Sequence, residues 1–331
     1  MRMIQLIANA MLAAVTILNA EIAVGQTTST GSGQAYPNKA VRLVVPLAAG
    51  GGMDTIARGV ALKLAETLGN AVIVDNRGGA GGNVGAEITS HAAPDGYTIM
   101  MASASLVTNV LLYPARYDPA RDLAAISQVT SQPYVLISVM SIPAATVKEL
   151  IAYAKANPGK LNYASSGKGG LIHLSTELFL HMTGTRAVHI PFTGMGAAYP
   201  DILSGRIQIS FPSIISAMPH IKSGKLRALG VSSRARSKTL PDVAPINEAG
   251  VPGFDVTQWY GLLAPAATPR AVIDRLYRDT VQLLKLPDVQ ARMAADGSDA
   301  VGSTPAEFTA HIRSEIQKWT KVVKDAGIKG E

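Results

Sequence analysis

The stretch Val41-Arg42-Leu43-Val44-Val45-Pro46-Leu47-Ala48-Ala49-Gly50-Gly51-Gly52-Met53-Asp54 decides the fold. A β-branched run closed by proline predicts a strand over 41–46. Three glycines follow, and Asp54 opens a helical pattern. Ile56, Val60, Leu62, Leu64 and Leu68 recur at roughly helical spacings until Gly69 stops it. Ala71-Val72-Ile73-Val74 predicts a second strand, so residues 41–75 form a βαβ unit.

The alternation continues outward from there. A second glycine-rich loop, 78–82, leads into a short helix ending near Ala92. The turn Pro94-Asp95-Gly96 then precedes a strand over 97–101. Further strands are expected at 135–139, 162–164, 189–190, 207–211, 226–231 and 259–264. Helices are expected at 147–156, 173–182, 197–203, 269–286 and 305–325. Residues 241–254 form a turn-rich connector. Alternation of this kind predicts an α/β protein with mostly parallel sheets. Strands covered on both faces explain why 47% of the residues are hydrophobic while only 5% are aromatic.

The chain has 331 residues, enough for two domains or one large one. Only 16% are charged, and the apolar content excludes disorder. The absence of cysteine excludes disulfide scaffolds, Cys-ligated zinc, iron–sulfur clusters and thiol nucleophiles. A net charge of +7 suits nucleic acid, acidic lipid or small anions. The basic residues are dispersed, without a basic run or interleaved aromatics, which argues against nucleic acid. At the N-terminus, Arg2 precedes a mostly apolar run over 3–20, then Ala23-Val24-Gly25, then a Thr/Ser/Gly spacer. Residues 1–35 therefore read as a signal peptide and spacer, cleaved between Gly25 and Ala35 on export to the periplasm, with an uncleaved N-terminal anchor as the other reading. Arg2 and Glu21 leave together, so the +7 belongs to the exported part.

A strand, a glycine loop and a helix together make an anion-binding geometry, because the first helical N–H groups lack partners. Two phosphate motifs share that geometry and neither fits. Thr55 stands where a third dinucleotide glycine belongs, although Asp75 ends the second strand as a ribose-binding acid would. No Gly-Lys pair is followed by Ser or Thr, so there is no P-loop. Asp54 reads as a helix cap. A small carboxylate suits the loop better than a nucleotide, with a plain tight turn as the other reading. Ser165-Ser166-Gly167, also between a strand and a helix, either caps the helix or holds a carboxylate. Pro191-Phe192-Thr193-Gly194 repeats the arrangement. There is no Gly-x-Ser-x-Gly elbow and no His-Glu-x-x-His helix, and the six histidines are mostly scattered without metal-ligand spacing. His173 and His181, eight apart on one predicted helix, read as packing or surface residues. The expectation is a protein without catalysis, metal or cofactor.

The set Tyr36-Pro37-Asn38-Lys39, the strand 41–46, Gly50-Gly51-Gly52-Met53-Asp54 and Ala57-Arg58 resembles the opening of the Bug family. These are periplasmic solute-binding proteins related to the tripartite tricarboxylate transporter receptor. The resemblance runs on through Val74-Asp75-Asn76-Arg77, Gly79-Ala80-Gly81-Gly82-Asn83-Val84-Gly85 and Ala93-Pro94-Asp95-Gly96-Tyr97-Thr98. It continues in Asn162-Tyr163-Ala164-Ser165-Ser166-Gly167, Leu240-Pro241-Asp242-Val243 and Glu248-Ala249-Gly250-Val251-Pro252-Gly253. Essentially everything after Tyr36 is covered.

The resemblance implies a periplasmic-binding-protein-like (type II) two-domain clamshell that captures a small carboxylate or similar polar metabolite, mainly through backbone N–H groups. The first domain would comprise 36–131 plus 257–331 and the second 132–256. The expected ligand-binding residues are Ala48, Ala49, Gly50, Gly51, Gly52, Met53, Asp54 and Ser103 on one side, with Ser165, Ser166, Thr193 and Gly194 on the other. The expected partners are a small organic acid and the membrane subunits of a tripartite transporter, or a sensor, with the protein itself a monomer. The sequence departs from the family pattern at Ala48-Ala49 and Gly78, where proline is common, and at Pro212, where Asp is common. Loss of that Asp argues against an amino group on the ligand. A Rossmann-type nicotinamide-dependent oxidoreductase is the competing reading, supported by the βαβ unit and Asp75.

Overall fold

The computed structural model describes residues 36–50, 52–295 and 297–329. The predicted signal segment 1–35 and Gly51 lie outside the described residues. The strands form two sheets. In the first, β1 (Val41–Val45), β2 (Val72–Asn76), β3 (Thr98–Ser103), β4 (Leu123–Pro133), β10 (Thr257–Pro265) and β11 (Asp299–Ala300) lie in the order β11-β4-β10-β3-β1-β2. In the second, β5 (Val135–Val139), β6 (Leu161–Ser165), β7 (Ala187–Pro191), β8 (Ile209–Ser210) and β9 (Leu226–Val231) lie in the order β7-β6-β8-β5-β9.

The opening βαβ unit is as the sequence predicts. The helix α1 (Gly52–Leu68) carries the chain from β1 to β2, which pair in parallel from Val41↔Val72 to Val45↔Asn76. It buries Ile56, Val60, Leu64 and Leu68, spaced four apart and so along one stripe. Leu62 departs from the expected pattern. It falls off that stripe and is 60% exposed.

The sheets are mixed rather than mostly parallel. β1 runs parallel to β2 and β3, but β10 is antiparallel to both β3 and β4, and β11 is antiparallel to β4. In the second sheet β6 is parallel to β7 and β8, while β5 is antiparallel to β8 and β9. The reason lies in the path. The chain leaves the first sheet at the end of β4, builds the second, and returns through β10. A returning strand pairs antiparallel without needing a crossover helix.

Helices cover the sheets. They are α2 (Asn83–Ser90), α3 (Ser105–Leu112), α4 (Val147–Ala156), α5 (Leu171–Thr183), α6 (Met195–Leu203), α7 (Ile214–Lys222), α8 (Arg270–Leu284), α9 (Pro287–Ala295) and α10 (Pro305–Asp325). The sequence reading lacks β4, β11, α3, α7 and α9. The last helix begins with a capping box, Thr304 with Glu307, and Pro305 in its first turn. It turns Phe308, Ile312, Glu315, Trp319 and Val322 inward and touches β4, α3 and α5. Each fully buried aromatic there contributes about 1.5–3 kcal/mol. Gly261 on β10 makes room for this helix, since a Cβ there would sit 2.2 Å from Phe308 Cζ. No helix among the described residues is long and apolar enough to cross a membrane.

Candidate functional site

Two strand-to-helix junctions, one from each sheet, meet at a shared cavity. In the first, β3 ends at Ser103. Its hydroxyl lies 2.7 Å from Ser105 Oγ and accepts the Ser105 N–H at 3.3 Å, turning the chain into α3. In the second, β6 ends at Ser165. Its Oγ donates to Gly167 O (2.9 Å), accepts the Gly167 N–H (3.2 Å), and lies 2.7 Å from His189 Nε2. Gly167 at φ +145° and Gly169 at φ +76° adopt backbone that other residues rarely take. The Gly169 N–H donates to His173 Nδ1 at 3.0 Å.

The helix α5 starts with no capping side chain at Gly170, and its first intrahelical bond runs from Leu174 N to Gly170 O. The N–H groups of Leu171, Ile172 and His173 therefore precede the helical ladder, where the dipole favours negative charge.

Beneath this loop lies a stack of rings. His173 and His189 are 3.9 Å apart at 11°, and Tyr163 continues the stack 4.8 Å from His189. The Tyr163 hydroxyl bonds Glu177, and burial pushes it far up. Burial pushes the His173 imidazole down to about 4, with His189 and Lys168 acting in the same direction. His189 is lowered too, by burial first and then by Lys168. Near neutral pH both rings are uncharged. Because His173 Nδ1 accepts from Gly169, its proton sits on Nε2, 4.0 Å from Glu177.

The cavity has a volume of about 990 Å³. From the first sheet's side it is lined by Leu47, by Ala80-Gly81, by Ser105, Thr108 and Asn109 of α3, and by Tyr113, Pro114 and Gln258. From the other side come Tyr134 and the run 166–172. Asn109 Nδ2 donates to Gly81 O, tying the second glycine loop to α3. A Cβ on Gly81 would lie 2.6 Å from that nitrogen. Among the lining residues Lys168 alone carries a formal charge, and no carboxylate is present.

The residues expected from sequence are dispersed around this cavity. Ser166 lines it. Ser103 and Ser165 are buried one layer behind, shaping the two junctions. Ala48, Ala49, Gly50 and Gly52 are exposed, and of that segment only their neighbour Leu47 reaches the wall. Gly51 lies outside the described residues. Met53 is buried in the core. Thr193 is exposed and Gly194 opens α6 at φ +152°, and neither is on the wall.

Asp54 is not a cap, because it sits inside α1 and points back. It accepts Gly50 N–H (2.9 Å), Arg58 Nε (2.9 Å) and Asn76 Nδ2 (3.0 Å). Arg58 leads in holding its carboxyl below the usual range, against the opposing effect of burial. Asp75, the supposed ribose acid, is paired with Arg42 (2.6 Å) and Arg77 (2.9 Å). Pro212 is buried, and its carbonyl accepts the Val135 N–H.

The sequence reading missed the α3 wall and Lys168. Ser103-Ala104-Ser105 at a strand end, followed by Leu106, Val107, Val110 and Leu111 at helical spacing, was the available signal. A lysine enclosed by Gly167, Gly169 and Gly170 was the other. Tyr134 and Gln258 leave no local trace, since they reach the site through the two connections between sheets.

Two α/β sheets joined by paired connections, with a polar cavity built from helix starts, define a solute-binding protein. Comparison with known proteins carries this further. A model of the tripartite tricarboxylate transporter family receptor matches residues 56–328. Protein BugT of Bordetella pertussis is 36% identical over 301 residues, spanning 90% of this chain and 92% of that one. An R. palustris protein solved with adipate is 33% identical with a TM-score of 0.73, covering 89% of this chain and 100% of that one. MatC from Rhodopseudomonas palustris, solved with bound malate, is 31% identical with a TM-score of 0.70, covering 87% and 100%. The chain belongs to the tripartite tricarboxylate transporter receptor family. This is a family of solute-binding receptors, not of enzymes, and nothing supports the oxidoreductase reading.

Proposed function

We propose that the protein captures a small carboxylate between the α3 and α5 helix starts, in the periplasm, for the membrane subunits of a tripartite transporter or a sensor. One observation carries this reading: two helix starts from different sheets converge on a wall that holds a cation and no acid. Burying a carboxylate is costly unless donors replace its water, and N–H groups ahead of a helical ladder are such donors. The solved relatives with adipate and malate fit the same chemistry.

In this reading the two sheets are two lobes, residues 36–131 plus 257–331 and residues 132–256, hinged near Gln132 and Thr257. Contacts made to both lobes only when closed favour the closed state. Ser166 touches the ligand, Ser103 and Ser165 shape the loops, and residues 48–52 with Thr193 and Gly194 form the rim. The exported chain works as a monomer, its 1–35 segment removed.

The test is a thermal-shift screen of the chain from Tyr36 onward against mono-, di- and tricarboxylates, amino acids and a nicotinamide dinucleotide. A ligand at a hundred times its Kd stabilises by about 2.7 kcal/mol, which such a screen resolves. The reading is lost if no carboxylate raises the Tm, or if the dinucleotide alone does.

A further inference from the structure

We propose that the Tyr134 hydroxyl is a ligand donor of this receptor, bonding a carboxylate oxygen of the bound acid from the connection between the two sheets. The inference rests on the carboxylate reading above and deepens it, by assigning a contact that neither helix start supplies.

A buried tyrosine ordinarily sets its hydroxyl on a partner, because an unmade bond there costs the desolvation of the group. Four tyrosines are buried among the described residues, Tyr117, Tyr134, Tyr163 and Tyr199. Tyr117 donates to Asn83 Oδ1 at 3.0 Å, Tyr199 donates to Ser216 Oγ at 3.0 Å, and Tyr163 donates to Glu177. Tyr134 is only 7% exposed, yet its hydroxyl bonds none of the described residues. Nor is that oxygen sealed off, as the unpartnered Trp259 Nε1 is. Of the four, Tyr134 is also the one on the cavity wall. The exception to the rule therefore falls at the site, where a bound acid completes the missing bond.

The fold holds this donor ready. Tyr134 follows Pro133 at the end of β4 and leads into β5. Its N–H donates to Ser232 Oγ at 2.8 Å, and its carbonyl accepts the Ser232 N–H at 2.9 Å. The same Ser232 Oγ donates to Val256 O at 2.6 Å, just ahead of β10. One serine thus ties together the outgoing and returning passages of chain and fixes the backbone that carries Tyr134. The donor is ordered before the ligand arrives. Burial pushes the phenol's ionisation far up, with Tyr260 acting in the same direction. It therefore keeps its proton, and towards a carboxylate, which only accepts, it donates.

The experiment is calorimetric titration of the chain from Tyr36 onward, as wild type and as Tyr134→Phe, with mono- and dicarboxylates of increasing length. Urea unfolding of the ligand-free proteins accompanies it. Tyr134→Phe is expected to bind the acids that the wild type binds roughly ten- to a hundredfold more weakly, the strength of a hydrogen bond to a charged group. Its ligand-free stability should not fall, since the lost hydroxyl leaves no protein partner behind. Tyr199→Phe is the control, expected to lose stability and keep its affinity, because that hydroxyl serves Ser216 away from the wall. In the wild type, the ζ-carbon resonance of Tyr134 should shift when a bound acid is added. Affinity in Tyr134→Phe within about threefold of the wild type overturns the inference. So does a ligand-free destabilisation as large as that of Tyr199→Phe, or a resonance that stays put. If no acid binds the wild type, the carboxylate reading itself falls and this inference with it, a result distinct from the others because the wild type alone reveals it.

Discussion

The loop after β1 and the loop after β6 both run from a strand end through glycines into a helix. In the first, the polar group is turned inward. Asp54 is spent on Gly50, Arg58 and Asn76, and so pins the loop to α1 and β2. In the second, the inward group is the hydroxyl of Ser165, while the run from Ser166 to Ile172 lines the cavity. Both loops have the backbone of an anion site. In the function proposed above, the second loop contacts the ligand, while the first, held by Asp54, forms the rim.

The sharpest way to probe this contrast is through the histidine under the second loop. His173 titrates near 4 in the folded protein and near 6.5 when unfolded, so the unfolded chain binds the extra proton between those values. Stability is therefore lost as pH falls from 6.5 towards 4, by about 3 kcal/mol at the lower end. Urea titrations at both ends of that window should show the wild type losing that much more than His173→Asn, whose amide oxygen still accepts from Gly169. Equal losses in the two proteins would mean the ring does not brace the loop in its neutral form.

Next in size is Asp54→Ala. Removing a buried acceptor of three donors should cost about 2 kcal/mol in urea unfolding at neutral pH. Carboxylate affinity should stay within about threefold, since Asp54 is off the wall. A large affinity loss with stability unchanged would erase the distinction between brace and binder.

The smallest effects come from a matched pair of glycines. Gly50→Ala and Gly167→Ala each place a side chain at positive φ, +86° and +145°, with no heavy atom closer than 4.0 Å to the new Cβ. Each should cost roughly 1–2 kcal/mol of stability from backbone strain. Only Gly167→Ala should also weaken carboxylate binding, by about tenfold, because strain there is relieved by shifting Ser166 and Lys168. Matching affinity losses in both variants, read by calorimetry, would place the first loop in the binding site after all.

The contrast also marks how far the sequence could be read. β1, α1 and β2 were legible because β-branched runs, a glycine stop and four-residue spacing are local signals. The partners of Asp54 were not, since Asn76 lies 22 residues away and reaches it only once β2 pairs with β1. Strand direction was misjudged for the same kind of reason. The strand β4, with Ser127, Gln128, Thr130, Ser131 and Gln132 along it, shows no long apolar run, and β10 resembles any other apolar strand. Their antiparallel pairing follows from where the chain returns. Lys168 counted among dispersed basic residues until the fold set it on the cavity wall. Ser165 and Ser166, adjacent in sequence, diverged by strand alternation, one inward and one towards the cavity.

The strand β10 lies between β3 and β4 in the middle of the first sheet, and α10 sets Phe308 and Trp319 into the core behind it. The strand β10 is made only after the whole second sheet, and α10 is the last described element of the chain. Until they emerge from the ribosome, β3 and β4 have no common neighbour and the first sheet stays open at its centre. The order of synthesis thus defers the folding of this half to the end of translation.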